Sequence, residues 1–193
     1  MNAKYYKQAF SHLTNALKMN TTLLSKHEET KQYHAHILTL LGRCYMEGGN
    51  VDDALELLEK SLEMNKAILG GDDFSNCSIY IIMAHIYLKK GMFDQAIQQL
   101  LLVKELSEAK FGKKSDTTAS VFLELADAYV KKGEYEQAIE YQKEAFEIYR
   151  ELDIVDSKTL GSIAIKLSEI YDQAEMLEDA IETLRMVYGV NKR

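Results

Sequence analysis

Proline is absent from this chain of 193 residues, cysteine occurs only twice and glycine only ten times. Without proline no position is barred from helix by a missing N–H or a fixed φ, and most of the glycines fall near expected helix ends, the distribution of an all-helical chain. The composition is neither that of a disordered segment nor collagen-like. Cys44 and Cys77 have no CxxC neighbour and no metal-ligand spacing around them, so they read as free thiols on helices in a reducing compartment. No window approaches the roughly 18 unbroken apolar residues of a membrane span, and the start MNAKYYKQAF lacks the apolar core of a signal peptide. The expectation is a cytoplasmic chain with no membrane partner. A basic face is lacking too: residues 1–69 hold 8 basic and 8 acidic residues, whereas 70–193 hold 15 and 22, which gives the net charge of −7 and argues against a nucleic-acid backbone as partner.

What the chain does have is a period. Gly42, Ala84, Ala126 and Ser168 recur at a step of 42 residues, as do Tyr45, Tyr87, Tyr129 and Tyr171, and Ala54, Ala96, Ala138 and Ala180. A further register, Gly49, Gly91 and Gly133, breaks at Glu175. A period of this size marks a solenoid, whose units cannot bury their apolar faces alone and must stack on their neighbours.

Each unit reads as two helices. In ASVFLELADAYVKK the apolar residues Val121, Phe122, Leu125, Ala126, Tyr129 and Val130 follow an i, i+3, i+4 spacing; after Gly133 the spacing resumes with Tyr135, Ala138, Ile139, Ala145 and Phe146. Gly133 can end the first helix in the left-handed conformation at little cost. The small residues mark places where the paired helices cross closely, and the tyrosine three residues beyond fills the space beside the crossing; the tyrosine stripe is a packing feature and not a ligand site.

These residues resemble the tetratricopeptide repeat, a helix-turn-helix with a small residue at its eighth place, an aromatic at the eleventh, glycine near the fifteenth and alanine at the twentieth. Ala126, Tyr129, Gly133, Tyr135, Ala138 and Ala145 supply the pattern in the third unit; Gly42, Tyr45, Gly49, Val51, Ala54 and Ser61 in the first; Ala84, Tyr87, Gly91, Phe93 and Ala96 in the second; and Ser168, Tyr171, Leu177 and Ala180 in the fourth. Half a unit precedes them, with Tyr6, Ala9, Leu13, Ala16 and Leu17. The resemblance implies a right-handed α-α superhelix of about nine helices: 3–24, 28–48, 51–69, 73–90, 93–110, 115–132, 135–151, 156–174 and 177–189. It implies one repeat domain over 1–193, built as a half repeat at 3–24 and repeats at 28–69, 73–110, 115–151 and 156–189. The common unit has about 34 residues, and the longer step here is similar to that of kinesin light chains. The paired asparagines of those proteins are replaced by Thr39 and Leu40, Ile81 and Ile82, Leu123 and Glu124, and Ile165 and Lys166.

In this family the first helix of each unit lines a concave groove, which carries over to His36, Thr39 and Arg43; Ile81, His85 and Lys89; Leu123, Asp127 and Lys131; and Ile165, Glu169 and Asp172. Apolar positions alternate there with charge that runs from basic to acidic, suited to orienting an extended or helical peptide. The donors that would hold the acidic tails of heat-shock chaperones are missing. Catalysis and metal binding are not expected: His34 and His36 point about 200° apart on a helix, His12, His27 and His85 are scattered, and no phosphate loop, nucleophile elbow or HExxH occurs. No cofactor is expected. The resemblance implies a scaffold or adaptor that binds a protein or peptide, and it allows cytoskeletal or ciliary association; the alternative is a regulatory peptide receptor that changes shape on binding. Leu177, Ile181, Leu184, Val187, Tyr188 and Val190 give the last helix an uncovered stripe, expected either to continue into a longer array or to make a homodimer.

Overall fold

The 3–4 spacing of apolar residues, uninterrupted by proline, folds into helix throughout. The computed structural model describes residues 3–21, 28–71, 73–152 and 156–188, and among them are nine α-helices and no strand. These are α1 (Ala3–Thr21), α2 (Glu28–Glu47), α3 (Val51–Leu69), α4 (Cys77–Lys89), α5 (Phe93–Phe111), α6 (Asp116–Lys132), α7 (Tyr135–Leu152), α8 (Ser157–Gln173) and α9 (Leu177–Tyr188). The tail of the helix expected over 3–24 falls at residues 22–24, outside the described ones, as do Val190 and the side chains of Tyr6, Ala9, Val187 and Tyr188.

One expected boundary differs. The helix anticipated over 73–90 opens as a 3-10 turn, Phe74–Asn76, and becomes α-helical only at Cys77. Asp73 causes this: its carboxylate accepts from the Ser75 amide at 2.8 Å and the Ser75 hydroxyl at 2.6 Å, a local bond that tightens the first turn.

The described chain falls into two compact units, residues 1–90 and 91–193, and the boundary lies in the turn after α4, inside the second repeat. In the first unit α2 packs against α3, with α1 on α2 and α4 on α3. Its core gathers Met46, Ala54, Leu58, Ile79, Ile82, Met83 and Ile86. In the second unit α6 packs against α7 and α8 against α9, while α5 lies on α6 and α7 on α8. One core cluster here gathers Ala138, Ile139, Leu167, Ile170, Tyr171 and Ala180.

The helix crossings are tight where the small residues recur. A Cβ built on Gly42 would lie 2.8 Å from Leu58 Cγ and 3.3 Å from the Ala54 carbonyl oxygen. At the corresponding crossing in the fourth repeat the Ser168 hydroxyl donates to the Ala180 carbonyl at 3.3 Å. In both places the first helix passes close to the backbone of the alanine on the second; at Gly42 even a methyl group lacks room, and at Ser168 the hydroxyl reaches the carbonyl. Ala84, Ala96, Ala126 and Ala138 are all buried.

The turns inside the first, third and fourth hairpins share one hydrogen-bond pattern. Asn50, Glu134 and Met176 donate their amides to the carbonyls of Tyr45, Tyr129 and Tyr171 at 2.9, 3.0 and 2.8 Å, and the residue before each donates to the carbonyl three residues back, the Schellman arrangement that ends a helix. That arrangement needs a left-handed residue. Gly133 supplies it with φ 85°, and in the fourth repeat Glu175 adopts it with φ 61°, so the turn survives where the glycine register breaks.

Candidate partner-binding site

The first helix of each repeat is anchored on one side by its apolar residues and leaves the other side open. On the first unit this open side carries His36 and Arg43 from α2 and Lys89 from α4, all exposed, with Ile81 and His85 half-buried. Thr39 is buried, yet with His36, Asn65 and Ser78 it lines a cleft of about 260 Å³ in this unit. Thr39 is only 4% exposed; Ser61 donates to the Ala35 carbonyl at 2.6 Å, and the Thr39 hydroxyl lies within donating distance of both the Ser61 hydroxyl, 2.8 Å, and the same carbonyl, 3.1 Å. Its hydroxyl is engaged inside the α2–α3 crossing, so it meets the cleft chiefly as part of its wall. Met46, also on α2, is part of the core.

On the second unit α6, α7 and α8 enclose a cleft of about 380 Å³. Leu123 and Asp127 from α6 form one wall, Ser162, Ile163 and Lys166 from α8 the other, and Gln142 and Tyr149 from α7 the floor. The floor is held in place by polar bonds. Gln142 is 3% exposed and donates through Nε2 to the Ile163 carbonyl at 3.0 Å, and the Tyr149 hydroxyl lies 2.8 Å from the Ser120 hydroxyl. Burial pushes the Tyr149 phenol up, only partly opposed by its bond to Ser120, so it stays a neutral hydrogen-bonding group. Asp127 is paired with Lys131 one turn on, and Lys166 lies 3.9 Å from Glu169. Ile165, Glu169 and Asp172 stand exposed on α8.

The sequence-derived residues therefore meet only in part. Leu123 and Asp127 line the cleft together; Ile165, Glu169, Asp172 and Lys131 do not line it. Gln142 and Tyr149 were missed because they belong to a second helix, where the period assigns only packing. A signal was present, since both are polar-capable residues at positions of the core-facing stripe. The tyrosines of the repeat register are packing groups in the second unit: Tyr129 stacks on Tyr141 with ring centroids 5.7 Å apart and planes at 11°, and burial raises both phenols. Tyr171 is buried. In the first unit Tyr45 meets Phe10 edge-on at 5.2 Å, and Tyr87 packs against the core.

Among the described residues no group of three or more His, Cys, Asp or Glu side chains is placed to hold a metal ion, and no helix is long and apolar enough to cross a membrane. Cys44 and Cys77 are free thiols; burial is the main influence on the Cys44 thiol and pushes it up, away from the reactive thiolate.

Comparison with known proteins places this geometry. No curated protein matches the sequence. Among solved structures, BtubC (BKLC) from P. vanneervenii aligns over 100% of this chain and 76% of its own at 18% identity with a TM-score of 0.73. The nearly identical TPR-like repeats of a putative kinesin light chain from Podosopora anserina, in a singly substituted form, align over 95% of this chain and 85% of their own at 20% identity and a TM-score of 0.76. MamA aligns over 98% and 94% at 17% identity and 0.64. These likenesses establish the fold, an all-α repeat solenoid. The tetratricopeptide repeat itself matches at residues 33–101, 75–151 and 117–193, and the chain belongs to the tetratricopeptide repeat family.

Proposed function

We propose that this chain is a scaffold or adaptor module that holds a peptide or helical segment of a partner protein on the open side of its first helices. The observation that carries the reading is the cleft between α6, α7 and α8, whose volume of about 380 Å³ suits one or two side chains of a bound segment. Leu123 offers an apolar contact there, Asp127 and Lys166 offer charge of both signs, and the buried Gln142 fixes the floor. Lys131, Ile165, Glu169 and Asp172 are proposed as further contacts on the second unit, and Arg43, His85 and Lys89 as contacts that the first unit offers by itself. The module has no catalytic role and needs no cofactor in this reading. The two free thiols support a reducing compartment, the cytoplasm, as its place of action.

A peptide-display selection against the whole chain supplies the test. Leu123→Glu and Asp127→Lys should each weaken binding of the selected peptides at least tenfold, with unchanged helical circular dichroism. Lys143→Glu and Glu144→Lys, exposed on the far side of α7, should not. Binding that survives the first pair and fails with the second would overturn the proposal. Hydrogen exchange with bound peptide then separates holding from sensing: protection confined to α6 and α8 fits a scaffold, and change spread through every helix fits a receptor.

A further inference from the structure

The polar groups that face the cleft between α6, α7 and α8 have mostly given their protons elsewhere and offer lone pairs. The Ser162 hydroxyl donates to the Lys158 carbonyl at 3.0 Å, which leaves its oxygen to accept. Gln142, 3% exposed on the floor, is bonded through Nε2 to the Ile163 carbonyl, and its Oε1 accepts from no described residue. The buried polar atoms that are both sealed from solvent and without a partner belong to Asn76 and Ser107, so the Gln142 oxygen opens on the cleft it lines. The Tyr149 hydroxyl lies 2.8 Å from that of Ser120. Burial raises this phenol, and the Asp116 carboxylate adds to the rise by its charge and by attracting the phenol proton. A carboxylate only accepts, so Ser120 donates to Tyr149 and Tyr149 turns its own proton toward Asp116.

Charge is balanced at one end of this cleft and not at the other. Asp116 and Asp127 stand on one face of α6, three turns or about 16 Å apart. Asp127 is paired with Lys131 and shares the cleft with Lys166. Among the described residues no cation pairs with Asp116; Lys114, two residues before it, pairs with Glu151 at 2.6 Å instead. Leu123 and Ile163 supply apolar wall between the two ends. We infer, resting on the reading that this cleft holds a partner segment, that the segment places an arginine or lysine side chain in it, with the stem on Leu123 and Ile163 and the charged head at Asp116. Both side chains carry donors and no acceptor, the complement of a cleft of lone pairs, and both lay an aliphatic stem on apolar surface while the head stays in water. Asp116 is exposed, so the pair forms at the rim and escapes the penalty of a buried charge. Gln142 lies two turns from Tyr149, about 10 Å along α7, beyond the reach of the same head; its oxygen accepts a backbone amide of the segment and so sets where the basic side chain falls.

Selection from a random displayed-peptide library, run in parallel on the whole wild-type chain and on its Asp116→Lys variant, tests this. The expected result is that wild-type peptides share an arginine or lysine at one fixed position, whereas Asp116→Lys returns aspartate or glutamate there. Replacing the basic residue of a wild-type peptide by methionine should weaken binding about tenfold. On the Asp116→Asn chain the same replacement should cost roughly twofold or less, the signature of a direct contact. Asp116 is exposed, so both variants should keep the helical circular dichroism. Peptides that lose binding with Asp127→Lys yet share no basic residue, or whose methionine replacement costs the same on both chains, overturn this inference and leave the holding of a segment standing. Peptides indifferent to Asp127→Lys and to Asp116→Asn alike overturn both.

Discussion

Replacing Gly42 by alanine sets two ordinary effects against each other, and the structure decides between them. In an exposed helix interior the change should stabilise by about 1 kcal/mol, because glycine is the poorer helix former. Here the new methyl would stand 2.8 Å from Leu58 Cγ and 3.0 Å from Cδ2. Leu58 is fully buried, and its Cγ sits close to its own backbone, so it cannot swing aside as a side-chain tip could. Leu58 must leave its rotamer, at about 0.5–1.5 kcal/mol, or α3 must move, and overpacking of this kind costs about 1–3 kcal/mol. The net expectation is a loss of about 1 kcal/mol, or roughly 2–4 °C in Tm. In a Leu58→Ala background the two nearest obstructing atoms are gone, and the Ala54 carbonyl at 3.3 Å remains. There the same Gly42→Ala change should stabilise by about 0.5–1 kcal/mol, although Leu58→Ala alone costs about 2–5 kcal/mol. The four proteins of the cycle can be compared by thermal melts and by amide exchange in α2 and α3, which remains meaningful if the array unfolds in steps. Stabilisation of the parent by Gly42→Ala would refute the close crossing.

Ala126→Leu and Ala138→Leu, at fully buried positions, should each cost about 1–3 kcal/mol, more than any substitution on the open side of the first helices; equal Tm values for groove and crossing variants would contradict this. Glu175→Gly should stabilise by up to about 1 kcal/mol, because a left-handed conformation costs an L-residue about 1–2 kcal/mol and glycine gives part of that back in chain entropy; a lower denaturation midpoint would argue against the strained turn. Asp156 caps α8 by accepting from the Thr159 amide at 2.7 Å, and its hydrogen bonds to Thr159 hold its carboxyl below the usual aspartate range. A depressed folded value means that this stabilisation is present above the ordinary aspartate value of about 3.9 and is lost as pH falls through and below it. Acid melts of Asp156→Asn, which keeps a capping acceptor but cannot titrate, should lack that component; identical acid profiles would show that the cap does not titrate.

Helix positions were legible because they depend on local chemistry. The spacing of apolar residues, the glycine at Gly133 and the capping residues Ser115 and Asp156 act within a few residues of themselves, so eight of the nine helices begin within a residue or two of their expected starts. The exception, α4, follows a side-chain bond from Asp73 that competes with helix and leaves little trace in periodicity. The site was less legible. A family position such as Thr39 is assigned by register alone, yet whether its hydroxyl faces a partner or the neighbouring helix depends on what lies across from it. Ser61, 22 residues away, decided that.

The sequence by itself determined that this protein is an array of helical hairpins. Its 42-residue period, small residues and tyrosines repeat in register, and repetition is a property of the chain whatever its surroundings. Tertiary structure alone decided which positions have room and which are exposed. Gly42 cannot become alanine freely because Leu58 stands against it, Gln142 is a cleft floor because the Ile163 carbonyl accepts its amide hydrogen bond, and Ile181 is open where its counterpart Ile139 is closed. Each of these depends on distances between helices, which residues far apart in sequence set together.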